Sequence, residues 1–420
     1  MTLSGASFRQ GVAEAAAELR ALFPPTPLQF NAHLSRRYGA RIFLKREDLT
    51  PVRSYKLRGA FNFMRKRRAA GGADISFCAA SAGNHAQGFA FACRHFGAHG
   101  RIFMPVTTPQ QKIDKTRMFG GDAIEIELVG DFFDDCYKAA QQFAGQTGAI
   151  MAPPFDDPDI IEGQATLALE ADRQVAGMPV DLMLLPVGGA GLAAGVAGYW
   201  SGRTDAPELL FVEPAGAASL KASLTAGERV RLSHIDGFVD GAAVAQIGAL
   251  PFAMLRDFPA ETVLTPPEGR ICQTMLEMLN VEGIVLEPAG ALTMAALQDI
   301  RSEIYGKTVM LVVSGGNFDF ERLQDVKERA LRFEGRKKYL ILRLPQRPGA
   351  LRDFLGLLGP EDDITRFEYL KKSAREFGSI LIGIETTQAG NFESLYRQLE
   401  LAGMHYQDIS DAPMIADLLI

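Results

Sequence analysis

Short apolar runs alternate along most of the chain with stretches in which apolar residues recur at helical spacing. RIFLKRED, ISFCAA, RIFMP, DAIEIELVG, LMLLPV, ELLFVE and TVMLVV read as strands, being brief, rich in Ile, Leu, Val and Phe, and mostly bounded by Gly, Pro, Ser or Asp. Phe8–Leu22, Ala60–Ala70, the stretch after Gly83 and Phe132–Thr147 read as helices between them. Strands alternating with helices predict an α/β fold built on a mainly parallel sheet. Near residue 331 the pattern changes. LRFEGRKK, residues 331–338, is a charged stretch suited to a linker. Beyond it KYLILRLPQRPGALRDFLGLL reads strand, turn, helix; ITRFEYLKK and SILIGIET read as strands, Phe392–Leu401 as a helix and HYQDIS as a closing strand, which makes a separate α+β tail.

At 420 residues the chain is long enough for two or three domains with cores of their own. Its 44 basic residues are outnumbered by 50 acidic ones, so the basic excess that marks a nucleic-acid binder is missing. The clusters Arg65–Arg68 and Arg336–Lys338 are short and read as solvated faces. Cys78, Cys93, Cys136 and Cys272 lack CxxC spacing, which points to neither a zinc site nor a disulfide framework and suits a reducing cytosol. MTLSGASFRQ has no basic segment leading into an apolar one, so no secretory signal is expected and the expected location is cytoplasmic. Leu182–Trp200 is free of charge and long enough to span a bilayer, but its glycines and Pro186 favour a strand, a loop and a buried helix in succession. His95 and His99 stand four apart without a third ligand or an HExxH glutamate, so no metal is expected there.

Four stretches carry chemistry. SYKLRGA puts Lys56 where an extended run gives way to a helix. A lysine whose pKa is depressed by desolvation offers a free amine that can form a Schiff base; taken alone, it is more often a solvated helix residue. SAGNHAQG places Ser81, Gly83 and Asn84 at a helix N-terminus, where free N–H groups favour an anion such as a carboxylate, although an ordinary capping turn uses the same residue types. PVGGAGL holds Gly188, Gly189 and Gly191 between an apolar strand and a small-residue helix, the composition of a phosphate cradle. Gly189, Gly191 and Ala194 also satisfy the GxGxxA dinucleotide fingerprint, with Glu213 roughly 20 residues on, so a nicotinamide-dependent dehydrogenase is a competing reading. SGGN, beginning at Ser314, puts a hydroxyl where it could hydrogen-bond a heteroaromatic nitrogen; a lone SGG turn is otherwise plain turn chemistry.

In this order and at these distances, the four stretches resemble the pyridoxal-phosphate enzymes of fold type II, and among them the threonine dehydratases (threonine ammonia-lyases). KREDLTP at Lys45–Pro51, PFDDPDIIEGQAT at Pro154–Thr166, DGAAV at Asp240–Val244 and EPAGA at Glu287–Ala291 fit the same family. The resemblance implies two open, twisted, mainly parallel sheets, with a smaller subdomain over 52–153 inside a catalytic region over 1–330, and pyridoxal 5'-phosphate as cofactor. Carried over by resemblance, Lys56 would hold the cofactor as a Schiff base, and the backbone of Gly188, Gly189, Ala190, Gly191 and Leu192 would bind its phosphate. Asn84 would contact the ring hydroxyl, Ser314 would face the pyridine nitrogen, and Ser81, Gly83, Asn84 and His85 would take the substrate carboxylate. A neutral serine would not keep that nitrogen protonated, which suits elimination over transamination. Three positions depart from the family pattern. Tyr55 stands where phenylalanine is common, and Ala190 interrupts the glycine loop while keeping its N–H. Ser219 stands where relatives that bind a divalent metal place an acidic residue six positions after Glu213, so no divalent ion is expected.

The tail, over 339–420, resembles the ACT-like regulatory domain of biosynthetic threonine dehydratases, with RLPQRPGAL as its signature. The implied activity is dehydration and deamination of L-threonine to 2-oxobutanoate and ammonia, the feedback-regulated first step of isoleucine biosynthesis, with weaker L-serine activity. An isoleucine or valine effector and a homodimer or homotetramer complete the expectation, with no nucleic-acid or membrane partner. A serine racemase, serine dehydratase or β-replacement synthase would keep the same anchors. The dehydrogenase stays open through GAGLAA, and a non-catalytic amino-acid sensor would keep the tail.

Overall fold

The computed structural model describes residues 3–72, 75–175, 177–370 and 377–410. Lys371 and Lys372, expected at the end of a strand, and residues 411–420 of the expected C-terminal domain lie outside them. The chain divides into two compact units, Met1–Glu268 with Met278–Asp319, and Gly269–Glu277 with Phe320–Ile420.

The first unit contains two sheets. The larger has six strands in the spatial order Leu28–Phe30, Arg41–Arg46, Thr308–Val313, Leu182–Pro186, Glu208–Val212 and Val263–Leu264. Its first pair is antiparallel and the remaining pairings are parallel. Thr308–Val313 lies inside the sheet with every residue buried, as its unbroken apolar run requires. The smaller sheet is wholly parallel, in the order Ile124–Leu128, Gly100–Met104, Phe77–Ala80 and Ile150–Met151. Open parallel sheets bind ligands beyond the carboxyl ends of their strands. Three of the four chemically suggestive stretches occupy such ends: SAGNH follows Phe77–Ala80, VGGA follows Leu182–Pro186, and SGGN follows Thr308–Val313. The charge-free run Leu182–Trp200 resolves into that strand, a loop and the buried ten-residue helix Gly191–Trp200. Among the described residues, no helix is long and apolar enough to cross a membrane.

The second unit is built on an antiparallel four-stranded sheet ordered Asp363–Leu370, Phe377–Glu385, Lys337–Pro345, His405–Asp408. Leu340, Leu342 and Leu344 alternate onto one face with Ile380, Ile382 and Ile384, and bury against Phe354, Leu395 and Leu399 of the helices Ala350–Leu355 and Asn391–Leu401. The stretch 331–338, expected as a linker, is folded instead. Its start completes the helix Leu323–Phe333 and its end opens the strand Lys337–Pro345. The reason is pairing: Lys337 is buried and donates to Glu328, which also accepts from the Tyr339 hydroxyl at 2.9 Å. Charges satisfied in this way need no solvent.

The helix Lys56–Gly71 is held in the first unit by a buried ionic cluster. The Arg58 guanidinium, with 0% exposure, donates to Glu47 Oε2 at 2.7 Å and Oε1 at 2.9 Å, and to Glu170 Oε1 at 2.8 Å and Oε2 at 2.9 Å. Lys45, equally buried, donates to Glu170 at 2.8 Å and to the Thr26 carbonyl at 2.7 Å. Burial opposes the charge on Arg58, but the two carboxylates outweigh it and raise its pKa. Glu170 is held below the usual carboxylate range: burial works against its ionisation, and Arg58 and Lys45 overcome it. The cluster fastens three elements, the end of the strand Arg41–Arg46, the helix Lys56–Gly71 and the helix Pro158–Val175. Gly163 permits the close crossing of the two helices, since a Cβ there would come within 2.5 Å of the Arg58 carbonyl oxygen.

Glu170→Ala leaves Arg58 and Lys45 buried beside a single carboxylate, and the expected loss of stability is about 3–5 kcal/mol, read as a lowered urea midpoint of the first unit. A midpoint equal to that of the unaltered protein would contradict this account of the cluster.

Candidate active site

Lys56 is the first residue of its helix, and the turn entering it is stitched to the SGGN loop. Tyr55 N–H donates to the Ser314 carbonyl at 3.1 Å, Gly316 N–H donates to the Arg53 carbonyl at 3.0 Å, and Ser54 and Gly315 form an isolated β-bridge. Lys56 Nζ donates to the Pro154 carbonyl at 3.0 Å and lies 5.4 Å from the Tyr55 ring centre and 5.9 Å from that of Phe155. Among the described residues no carboxylate forms an ion pair with it. Burial lowers its pKa to about 8, against the opposing influence of Glu287. The side chain remains half-buried, so a reactant can reach it.

Phe155 connects this amine to the glycine loop. At Gly189 a Cβ would stand 2.1 Å from the Phe155 ring, so the ring lies where only glycine leaves room. Ala190 takes a left-handed conformation, φ 68°, and caps the helix Gly191–Trp200. Among the described residues, the N–H groups of 188–192 donate to no backbone carbonyl. A loop of unused N–H groups at a helix N-terminus is an anion cradle.

Asn84 begins the helix Asn84–Phe96. Its Nδ2 donates to Glu287 Oε1 at 2.7 Å, and its Oδ1 accepts from Asn317 Nδ2 at 2.8 Å. Ser81 Oγ accepts from Gly83 N–H at 3.2 Å, which shapes the turn. The His85 ring is buried and turned to the Ala152 carbonyl, 2.9 Å from Nε2. A carbonyl only accepts, so Nε2 carries the proton. Burial first, then Lys56, lowers the His85 pKa to about 4. His85 is therefore neutral at physiological pH, and its part in the loop is limited to its backbone. Ser314 is buried, with its hydroxyl donating to the Ala289 carbonyl at 3.1 Å, so the O–H would turn from that carbonyl to meet an unprotonated ring nitrogen.

The glycine loop and Glu213 do not form a dinucleotide site. The Glu213 carboxylate is buried and accepts from the N–H groups of Leu220 at 2.8 Å and Lys221 at 2.9 Å, capping the helix Ser219–Ala226 where a ribose contact would need it free.

Residues 19–315 match the family model described as pyridoxal-phosphate dependent enzyme, and residues 328–419 match the C-terminal regulatory domain of threonine dehydratase. The chain belongs to the threonine dehydratase family of pyridoxal-phosphate-dependent enzymes. It is 46% identical over 396 residues to the biosynthetic L-threonine dehydratase IlvA of Bacillus subtilis (strain 168), covering 94% of this chain and 93% of that one. Identity to the IlvA of Mycobacterium tuberculosis (strain ATCC 25618 / H37Rv) is 45% over 408 residues, covering 97% and 94%. Among solved structures, the processed form of threonine deaminase isoform 2 from Solanum lycopersicum superposes with a TM-score of 0.71 at 35% identity, covering 79% of this chain and 96% of that one.

The residues present fit the cofactor of this threonine dehydratase family. A lysine amine without a carboxylate partner suits an aldehyde, unused N–H groups suit a phosphate, and Asn84 and Ser314 offer neutral polar contacts. Two features of the site were not assigned from sequence. Glu287 appeared there only within a family-like stretch, and Glu-Pro at a helix start is ordinary capping chemistry that says nothing of Asn84. Phe155 gave no signal of its own.

In the cofactor-free protein, Lys56 should react with an amine-directed reagent along a titration curve centred near pH 8. Because the pKa is lowered, the free amine appears earlier as pH rises: at pH 7.5 roughly a quarter is unprotonated, against roughly one part in a thousand for an ordinary lysine. Peptide mapping of labelled protein across pH 6–10 reads this, and a Lys56 profile matching the surface lysines would contradict it.

Proposed function

We propose that this protein is a threonine dehydratase that converts L-threonine to 2-oxobutanoate and ammonia, with weaker activity on L-serine. The observation that carries the reading is the desolvated Lys56 amine, which among the described residues forms no ion pair and is joined through Phe155 to a loop whose N–H groups donate to no backbone carbonyl. Bound pyridoxal phosphate supplies the electron sink that makes the substrate Cα proton acidic. The N–H groups of Gly188, Gly189, Ala190, Gly191 and Leu192 would hold the phosphate, Asn84 would hold the ring hydroxyl, and Ser314 would face the ring nitrogen as a neutral partner. With the cofactor bound, Lys56 would hold its aldehyde carbon, and the Lys56 amine would serve as the base for the substrate Cα proton. An amine with a pKa near 8 suits that task, since a useful fraction is unprotonated at neutral pH. The backbone of the Ser81–His85 turn receives the substrate carboxylate, which fixes the Cα–H bond before proton transfer. Overall, threonine loses its β-hydroxyl and a proton as water, and hydrolysis of the resulting enamine takes up a water and gives 2-oxobutanoate and ammonia.

The C-terminal regulatory domain gives the chain a second ligand-responsive unit. We assign it the matched segment 328–419, with isoleucine or valine as effector, and place catalysis in the first unit. This makes the enzyme the feedback-controlled first step of isoleucine synthesis, working in the cytoplasm as a homodimer or homotetramer. The biosynthetic IlvA relatives, matched over nearly their whole length, support that placement.

Lys56→Ala should lower 2-oxobutanoate release from L-threonine by at least about 100-fold, the range for loss of a positioned proton-transfer group, while far-UV circular dichroism stays unchanged. Undiminished turnover by a folded variant would refute the assignment.

A further inference from the structure

Asn84 and Glu287 stand 203 residues apart in sequence and meet at 2.7 Å. Asn317 Nδ2 donates both to the Val52 carbonyl and to Asn84 Oδ1, each at 2.8 Å, and Asn84 Nδ2 donates onward to Glu287. The donors therefore run in one direction and end on a carboxyl group. That direction fixes the Asn84 amide: its oxygen is held by Asn317, so its NH2 faces Glu287 and one N–H is left over. Glu287 is buried at the N-terminus of the helix Pro288–Ala295. Gly315 packs against it so closely that a Cβ there would come within 2.3 Å of Oε1.

We propose that Glu287 is a positioning residue of the active site, whose carboxyl orients the Asn84 amide and whose protonation state is relayed by Asn84 to the bound cofactor. The proposal rests on the threonine dehydratase reading above, in which Asn84 meets the cofactor's ring hydroxyl. A buried carboxyl changes the polarity of its hydrogen-bonded neighbour when it ionises, and in a site of low dielectric that change is felt one bond further on. The groups around Glu287 support a titration in the neutral range. Burial first, and then Asp240, raise its pKa to about 7, while Asn84, Lys112 and the Asn317 backbone pull the other way. Lys112 donates to Asp240 at 2.5 Å, so the nearest surface charges are paired with each other. Lys56, Tyr55 and Lys115 in turn feel the Glu287 charge. A raised carboxyl pKa leaves the group neutral below pH 7 and charged above it.

The test is the visible absorption of full-length holoenzyme, reconstituted with pyridoxal phosphate and titrated from pH 5.5 to 8.5, for the unaltered protein, Glu287→Gln and Asn84→Ala. Glutamine keeps an acceptor for Asn84 and removes the ionisation. The unaltered protein should show a spectral transition with a midpoint near pH 7, and both variants should lose it. Glu287→Gln should keep its cofactor affinity, whereas Asn84→Ala should weaken it about fivefold, one hydrogen bond's worth. A transition retained at the same midpoint in Glu287→Gln would overturn the proposal and leave the threonine dehydratase reading standing. Should that variant fail to fold, retention of the transition in Asn84→Ala would overturn it equally. Absence of any cofactor band in the unaltered protein would overturn both.

Discussion

Everything in the first unit that bears on chemistry depends on where the helix Lys56–Gly71 begins, and that is set by Arg58. Two residues beyond Lys56, Arg58 is closed between Glu47 and Glu170, with Lys45 sharing the second carboxylate. Burying four charges is costly, so the cluster is weak evidence of added stability. Its geometric effect is more informative. Bidentate contacts on both carboxylates leave the guanidinium no alternative arrangement, so the helix cannot rotate or slide without breaking them. Lys56 is thereby held beside Pro154 and Phe155, and the preceding turn is laced to the SGGN loop.

From that fixed start, the site follows from general features of parallel sheets. Strands of both sheets end in loops, and in the one over 188–192 the backbone N–H groups donate to no backbone carbonyl among the described residues. Desolvation lowers the pKa of the amine to about 8. The same desolvation acts with opposite sign on Glu287, raising it toward neutrality. One buried environment thus brings a base and an acid to similar proton affinities, an arrangement typical of sites that move protons.

Much of this was legible in the sequence because strand, glycine loop and helix follow one another locally. SAGNH, PVGGAGL and SGGN each lie within one such unit, and Lys56 sits at a helix start that its own neighbours announce. What stayed hidden depends on pairing at long range. Arg58 meets Glu170 across 112 residues and Asn84 meets Glu287 across 203, and no periodicity marks either partner. The same blindness explains the linker expected at 331–338. Its charges looked solvated, but Lys337 is buried because Glu328 is there to receive it. His85 shows the limit of reading a loop as a unit, since the backbone stays in the SAGNH turn while the ring leaves for the Ala152 carbonyl.

In the reading proposed above, Lys56 would hold the cofactor. The most direct measurement is the visible absorption spectrum of the purified protein, saturated with pyridoxal phosphate and recorded before and after L-threonine is added. The expected result is a yellow protein whose band shifts within the mixing time and returns as the substrate is consumed. A colourless protein, or a band indifferent to L-threonine, would contradict it.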